Sequence, residues 1–198
     1  MSNPPLAWLL AALLGCAACS STGTRDAHEH APTYATAEEA RSAIATELDQ
    51  GDVDSALWAA DRGREDHPQD ALVLLLAAEA YVAGDHLGDA ADSLSAAVDV
   101  AESGGVRVHA LANLGFVHMR LGDAQRAANE LGEALGSGLA DPLLEGRVLR
   151  DLGSAHYALG EFEAARDAWR QLPEAQRREI DAVVGPGFFL VDELALGN

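Results

Sequence analysis

No lysine occurs anywhere in the chain; all 13 basic residues are arginine, against 32 Asp and Glu, for a formal net charge of −19. Such a surface repels phosphate backbones and anionic headgroups. That excludes nucleic-acid binding and adhesion to a membrane through basic patches. Aromatic residues make up only 5% of the composition, and β-branched runs are few, so no sheet is expected. Catalytic signatures are missing as well. There is no G-x-S-x-G, no glycine–lysine phosphate loop, no H-E-x-x-H and no pair of carboxylates set in a predicted cleft. The expectation is a protein that is not an enzyme and holds no cofactor or metal. The longest charge-free apolar run, residues 6–19, has 14 residues, short of the roughly 20 that span a bilayer as a helix.

That run has the length of a secretory h-region. It ends in Leu13-Leu14-Gly15-Cys16, which resembles the bacterial lipobox, although residues 1–5 carry no arginine. The resemblance implies a signal peptide over residues 1–15, lipidation of Cys16 and an anchor in the cell envelope. Ala17 after the cysteine, where aspartate would mark retention in enterobacteria, implies the outer membrane with the protein facing the periplasm. Cys16 and Cys19 form a C-x-x-C, but no βαβ context surrounds them to depress a thiol pKa, so a redox role is set aside. Residues 16–36 are small and polar with Pro32, and read as a lipid-anchored flexible linker. His28 and His30 lie within it, too few to close a zinc site that wants four ligands.

Beyond residue 36 alanine dominates, and the apolar residues recur at helical spacing. Between Val108 and Leu135 this gives Leu111, Leu114, Val117 and Leu121, then Ala124, Ala127, Leu131 and Ala134, with Gly122-Asp123 breaking the run. Glycine ends one helix and aspartate caps the next. The stretch is a helical hairpin. Its Leu111, Leu114-Gly115, His118, Gly122-Asp123, Ala127 and Ala134 resemble the anchors of a tetratricopeptide repeat, a helical pair of about 34 residues. Histidine at 118 departs from the usual tyrosine. Similar anchors recur at Leu149, Leu152-Gly153, His156, Gly160-Glu161, Ala165 and Trp169; at Ala78, Tyr81, Ala90, Leu94 and Ala97; and at Gly51-Asp52, Ala56 and Pro68.

The implied fold class is all-α: a right-handed α-solenoid of about four such hairpins over residues 37–172. The repeats start near 37, 71, 108 and 146 and are therefore spaced by 34, 37 and 38 residues. The longer spacings are expected to lie in longer turns between hairpins. Gly84 falls one place early, so an extra residue is expected in the turn of the second hairpin. Residues 173–198 read as a C-terminal capping helix, from Glu174 to Val184, and an apolar tail at residues 188–191 that folds back on the last hairpin. His118 and His156 take equivalent places and are expected to be satisfied interior histidines.

The resemblance implies that the first helices line a concave groove, in which a single stripe of each helix faces the ligand. This assigns Leu72, Leu75, Glu79 and Val82; His109, Ala112, Phe116 and Met119, with Arg120 beside them; and Arg147, Arg150, Ser154 and Tyr157. Such a groove would be apolar toward the second repeat and basic toward the fourth. It would suit a peptide segment or C-terminus of a protein partner, with apolar anchors and an acidic group. The functional expectation is an envelope-anchored interaction scaffold that serves the assembly of an envelope complex; a cytosolic adaptor without lipidation, or the regulatory part of an enzyme, is the alternative.

Overall fold

The computed structural model describes residues 33–102 and 104–185. Cys16, Cys19, the His28–His30 pair and the apolar run at 188–191 lie outside the described residues. The described residues form nine helices and no strand. They pair as α1 (Ala37–Gln50) with α2 (Val53–Asp66), α3 (Ala71–Ala83) with α4 (Leu87–Val100), α5 (Gly105–Arg120) with α6 (Ala124–Gly136), and α7 (Pro142–Ala158) with α8 (Phe162–Arg170); α9 (Glu174–Val184) follows. Each of α1 to α7 packs on the next helix in sequence. The first helices of successive hairpins also touch, α1 with α3, α3 with α5 and α5 with α7. That is the contact pattern of an all-α solenoid of helical hairpins.

Local chemistry starts the helices. Thr36 and Glu39 form a reciprocal capping box ahead of α1. Asp52, Asp70, Asp123 and Asp141 accept from the free N–H groups of α2, α3, α6 and α7, and Pro142 supplies a pre-set first residue to α7. The ordered array begins before α1. Tyr34 N–H donates to Asp66 at 2.8 Å, its carbonyl bonds His67 Nε2 at 2.9 Å, and its ring packs edge-on against Trp58. The last residues of the expected linker, from Tyr34 to Thr36, therefore belong to the packed edge of the first hairpin.

The turns inside the hairpins share one geometry. Gly51, Asp85, Gly122 and Gly160 are left-handed, at φ of 73°, 61°, 81° and 79°. Each repeats the same two backbone hydrogen bonds to the helix before it. The second turn thus holds no extra residue, contrary to the expectation from Gly84. Asp85 takes the left-handed place, and aspartate tolerates it better than most residues. Gly84 serves packing, since a Cβ there would lie 2.9 Å from Leu57 Cδ1.

The longer repeats are also built differently from expectation. The added residues mainly extend the first helices, and of the turns between hairpins only that from α6 to α7 is longer, by one residue: α5 has 16 residues and α7 has 17, against 14 in α1 and 13 in α3. The extra turn is helical because it has something to bury. Val108 and Leu144 sit in one apolar cluster with Leu131, Val148 and Leu152, and Arg107 donates to Val98 O and Glu133 across the junction.

Apolar packing is continuous along the array. The first two hairpins share a cluster with Leu114 and Val117 of α5, and the last two share another. Helix α3 is apolar on nearly every side, burying Val73, Leu74, Ala77, Ala78, Ala80 and Tyr81, because α1, α2, α4 and α5 all contact it. Helix α9 buries no residue; Ile180 and Val184 lean from it against Trp169, Leu149 and Leu172. Among the described residues no helix is long and apolar enough to cross a membrane.

Candidate ligand-binding groove

The face carried by α3, α5 and α7 holds a cavity of about 270 Å³ where the three helices meet over α4. Its apolar wall is Ala78, Val82 and Leu94 on one side and Phe116 and Val117 on the other; Glu79, Asn113 and Arg147 give it a polar rim. The helix register explains the grouping. Residues one turn apart on α3 and on α5 supply Glu79 and Val82, and Asn113 and Phe116, and the second turn of α7 lays Arg147 across them.

Arg147 is held twice. One guanidinium nitrogen donates to Asn113 Oδ1 at 2.5 Å, and the group lies 5.4 Å from the centroid of Phe116, a cation–π arrangement. Burial raises the pKa of the Glu79 carboxyl above its usual value, and the nearby charges of His109 and Arg147 pull it down only in part. Asp151 behaves alike: burial raises it, against Arg150 and Arg147. Glu79 is nevertheless exposed at the rim, so its carboxylate is open to water as well as to the charge of Arg147 across the cavity.

The expected groove residues divide into several environments. Glu79, Val82, Phe116 and Arg147 meet around this cavity. Arg150, Ser154 and Tyr157 line a second one, of about 400 Å³, against Trp169 of α8 and Ile180, Val183 and Val184 of α9. Leu72 is exposed and Leu75 and Met119 are half-buried, the last two packed on the apolar clusters. His109 is exposed and lines a depression at the junction of α5 and α7. Ala112 is not a groove residue at all: it is 1% exposed, inside the cluster that joins α5 to α7. Asn113, Ala78 and Leu94 are lining residues that the single-stripe reading passed over.

The expected basic end is internally neutralised. Arg120 bonds Asp85 at 2.6 Å, Arg150 lies 3.6 Å from Asp151, and Arg147 is engaged as described. The two equivalent histidines are also engaged: His118 Nδ1 meets Glu130 Oε2 and His156 Nδ1 meets Glu161 Oε2, each at 2.6 Å. His118 is 7% exposed, and burial raises the pKa of its partner Glu130 while the imidazole opposes that shift. Tyr81 fills the same place in the second hairpin, donating to Asp61 with Arg64 over its ring. Burial, then the Asp61 contact, pushes its phenol to about 12. Among the described residues no three His, Cys, Asp or Glu side chains converge as a metal site.

Comparison with solved structures places this architecture. MamA from Desulfovibrio magneticus superposes with a TM-score of 0.59 at 16% identity, over 70% of this chain and 75% of that one. TTC0263, a tetratricopeptide-repeat protein of Thermus thermophilus, gives 0.56 at 19%, over 75% and 81%. YrrB, described as a tetratricopeptide-repeat protein with an unusual peptide-binding site, gives 0.51 at 19%, over 68% and 73%. At these identities the likeness establishes the fold, a tetratricopeptide-type array. No protein-family model and no curated protein matches the sequence.

Proposed function

We propose that the protein is a non-enzymatic interaction scaffold of the bacterial envelope. A lipid on Cys16 anchors it to the outer membrane, facing the periplasm, and the polar linker that follows carries the array away from the bilayer. The array takes a peptide segment of a partner protein in the face carried by α3, α5 and α7, in the assembly of an envelope complex.

The observation that carries the binding reading is the cavity of about 270 Å³ between those helices. It combines an apolar pocket for one side chain with Glu79, Asn113 and Arg147 as polar groups for a peptide backbone, the usual composition of a ligand site. That YrrB is described as having a peptide-binding site supports peptide as the ligand class. Because the arginines are internally paired, an acidic group on the peptide is not required; an apolar anchor is.

Photo-cross-linking in cells tests this. A benzophenone side chain at Phe116 should capture a discrete protein partner, and one at Asp92, on the exposed side of α4, should not. Equal capture at both positions, or none at Phe116, overturns the groove. Labelling with a palmitate analogue tests the anchor separately: label on the wild type and none on Cys16→Ala is expected, and an unlabelled wild type overturns it.

A further inference from the structure

The second cavity lies where the helix packing loosens. Each of α2 to α8 packs closely on the helix before it. Helix α9 instead buries none of its residues and touches the last hairpin through the side chains of Ile180 and Val184. The resulting gap of about 400 Å³ is walled by Tyr157, Trp169, Ile180, Val183 and Val184, with Arg150, Ser154, Gln176 and Glu179 at its rim. Val183 is 86% exposed. The gap is as large as many ligand sites, which run from roughly 300 to 1,000 Å³.

The chain leaves α9 at this gap. Val184, the last residue of α9, lines it, and Gly185 redirects the backbone at φ 119°. The residues that follow read Pro186-Gly187-Phe188-Phe189-Leu190-Val191-Asp192-Glu193. An apolar run begins three residues past Gly185, within about 10 Å of reach. Two acidic residues, Asp192 and Glu193, come next and end the apolar run. Order, reach and apolar character therefore match one occupant.

We propose that residues 188–191 of the same chain seat in the gap between α7, α8 and α9, with Phe188 to Val191 on the Tyr157–Trp169–Val183 wall. The chain thereby supplies the ligand for the fourth-repeat end of its own groove. A partner peptide is left the cavity at α3, α5 and α7. A tail tethered by two residues holds its site at a local concentration of order millimolar, so a free peptide competes poorly with it. The inference does not depend on the binding reading of the other cavity.

The experiment compares the full chain, a chain ended after Gly187, and a full-length Phe188→Asp, Phe189→Asp variant. The probe is a fluorescent synthetic peptide of residues 187–198. Fluorescence anisotropy should show the peptide binding the truncated and doubly substituted chains at least about tenfold more tightly than the full chain. Adding Val183→Asp to the truncated chain should remove that binding. The full-length variant keeps the test valid if truncation alone unfolds the chain. Equal binding to all three, or binding to none, overturns the proposal. A full chain that dimerises, with dimers dissolved by the peptide, would assign the gap to the tail of a second copy and also overturn it.

Discussion

Trp169 lays its indole directly over Gly153, where an added Cβ would fall 2.2 Å from Nε1. The indole N–H donates to Arg150 O at 2.9 Å, so the ring is held by a bond as well as by the space glycine leaves. Equivalent positions recur at a separation of 16 residues: Ile44 and Ala60, and Ala78 and Leu94, within one apolar cluster, then Gly115 under Leu131 and Gly153 under Trp169. As the side chain on the first helix shrinks, its counterpart on the second grows. Summed volume, more than any one residue, sets how closely the helices of a hairpin approach.

Gly115 is the place to test that rule, since a Cβ there would meet Leu131 Cγ at 2.5 Å. Gly115→Leu should destabilise the array by about 1–3 kcal/mol, as should Ala127→Leu at a fully buried site. Gly115→Ala should be partly rescued by Leu131→Ala, giving a favourable coupling of about 1 kcal/mol in a double-mutant cycle. Chemical denaturation of the four chains measures it; additive effects would mean the two helices do not constrain each other at this contact.

Two neighbouring residues in one turn should respond differently. Asp85 holds φ 61°, and its pair with Arg120 is exposed, worth roughly 0–1 kcal/mol. Asp85→Gly should therefore leave the melting point unchanged or raise it, by at most about 1 kcal/mol of relieved strain. Gly84→Ala should lower it, since the new methyl meets Leu57. A stabilised Gly84→Ala chain would show that Leu57 yields freely.

The fold was legible because its anchors act locally. Capping aspartates, turn glycines and small–large pairs within one hairpin leave marks at regular spacing. What was misread depends on neighbours. Gly84 looked like a turn glycine, but it answers to Leu57 in the preceding hairpin. The extra residues of the third and fourth hairpins looked like loop, but Val108 and Leu144 find a shared cluster. Ala112 lies on the expected groove stripe, yet α7 covers it, while Asn113 is drawn into the cavity by Arg147. A stripe read helix by helix cannot show where the next repeat overlies it.

The half-buried carboxyl of Asp151 gives a pH test. Burial raises its pKa in the folded chain. Folding therefore favours the protonated form: its contribution is fully present below the unfolded value of about 4 and is lost as pH rises through the folded value. Asp151→Asn removes that loss. The variant should melt with the wild type in acid and above it at neutral pH. Melts of both chains across that range suffice, and a wild type that is the more stable at neutral pH contradicts the assignment.

The two cavities make separable predictions for Arg147 and Arg150, which sit one helical turn apart on α7 yet line different sites. Arg147→Glu would place a carboxylate over Phe116 and beside Glu79 and Asp151, removing the bond to Asn113. It should abolish cross-linking from Phe116 and lower the melting point by a few degrees, as expected of roughly 1 kcal/mol. Arg147→Gln retains a donor for Asn113 and should recover most of the stability, though not the stacking on Phe116. Arg150→Glu should leave that cross-link intact, because its guanidinium faces Asp151 and the α9 gap. If both reversals abolish the cross-link equally, the face is one continuous groove and a bound peptide runs from α3 to α9, displacing whatever fills the gap. If neither does, recognition lies off this face, and the cross-linker should be moved to Leu143, Phe162 and Val183, large apolar side chains exposed elsewhere on the array.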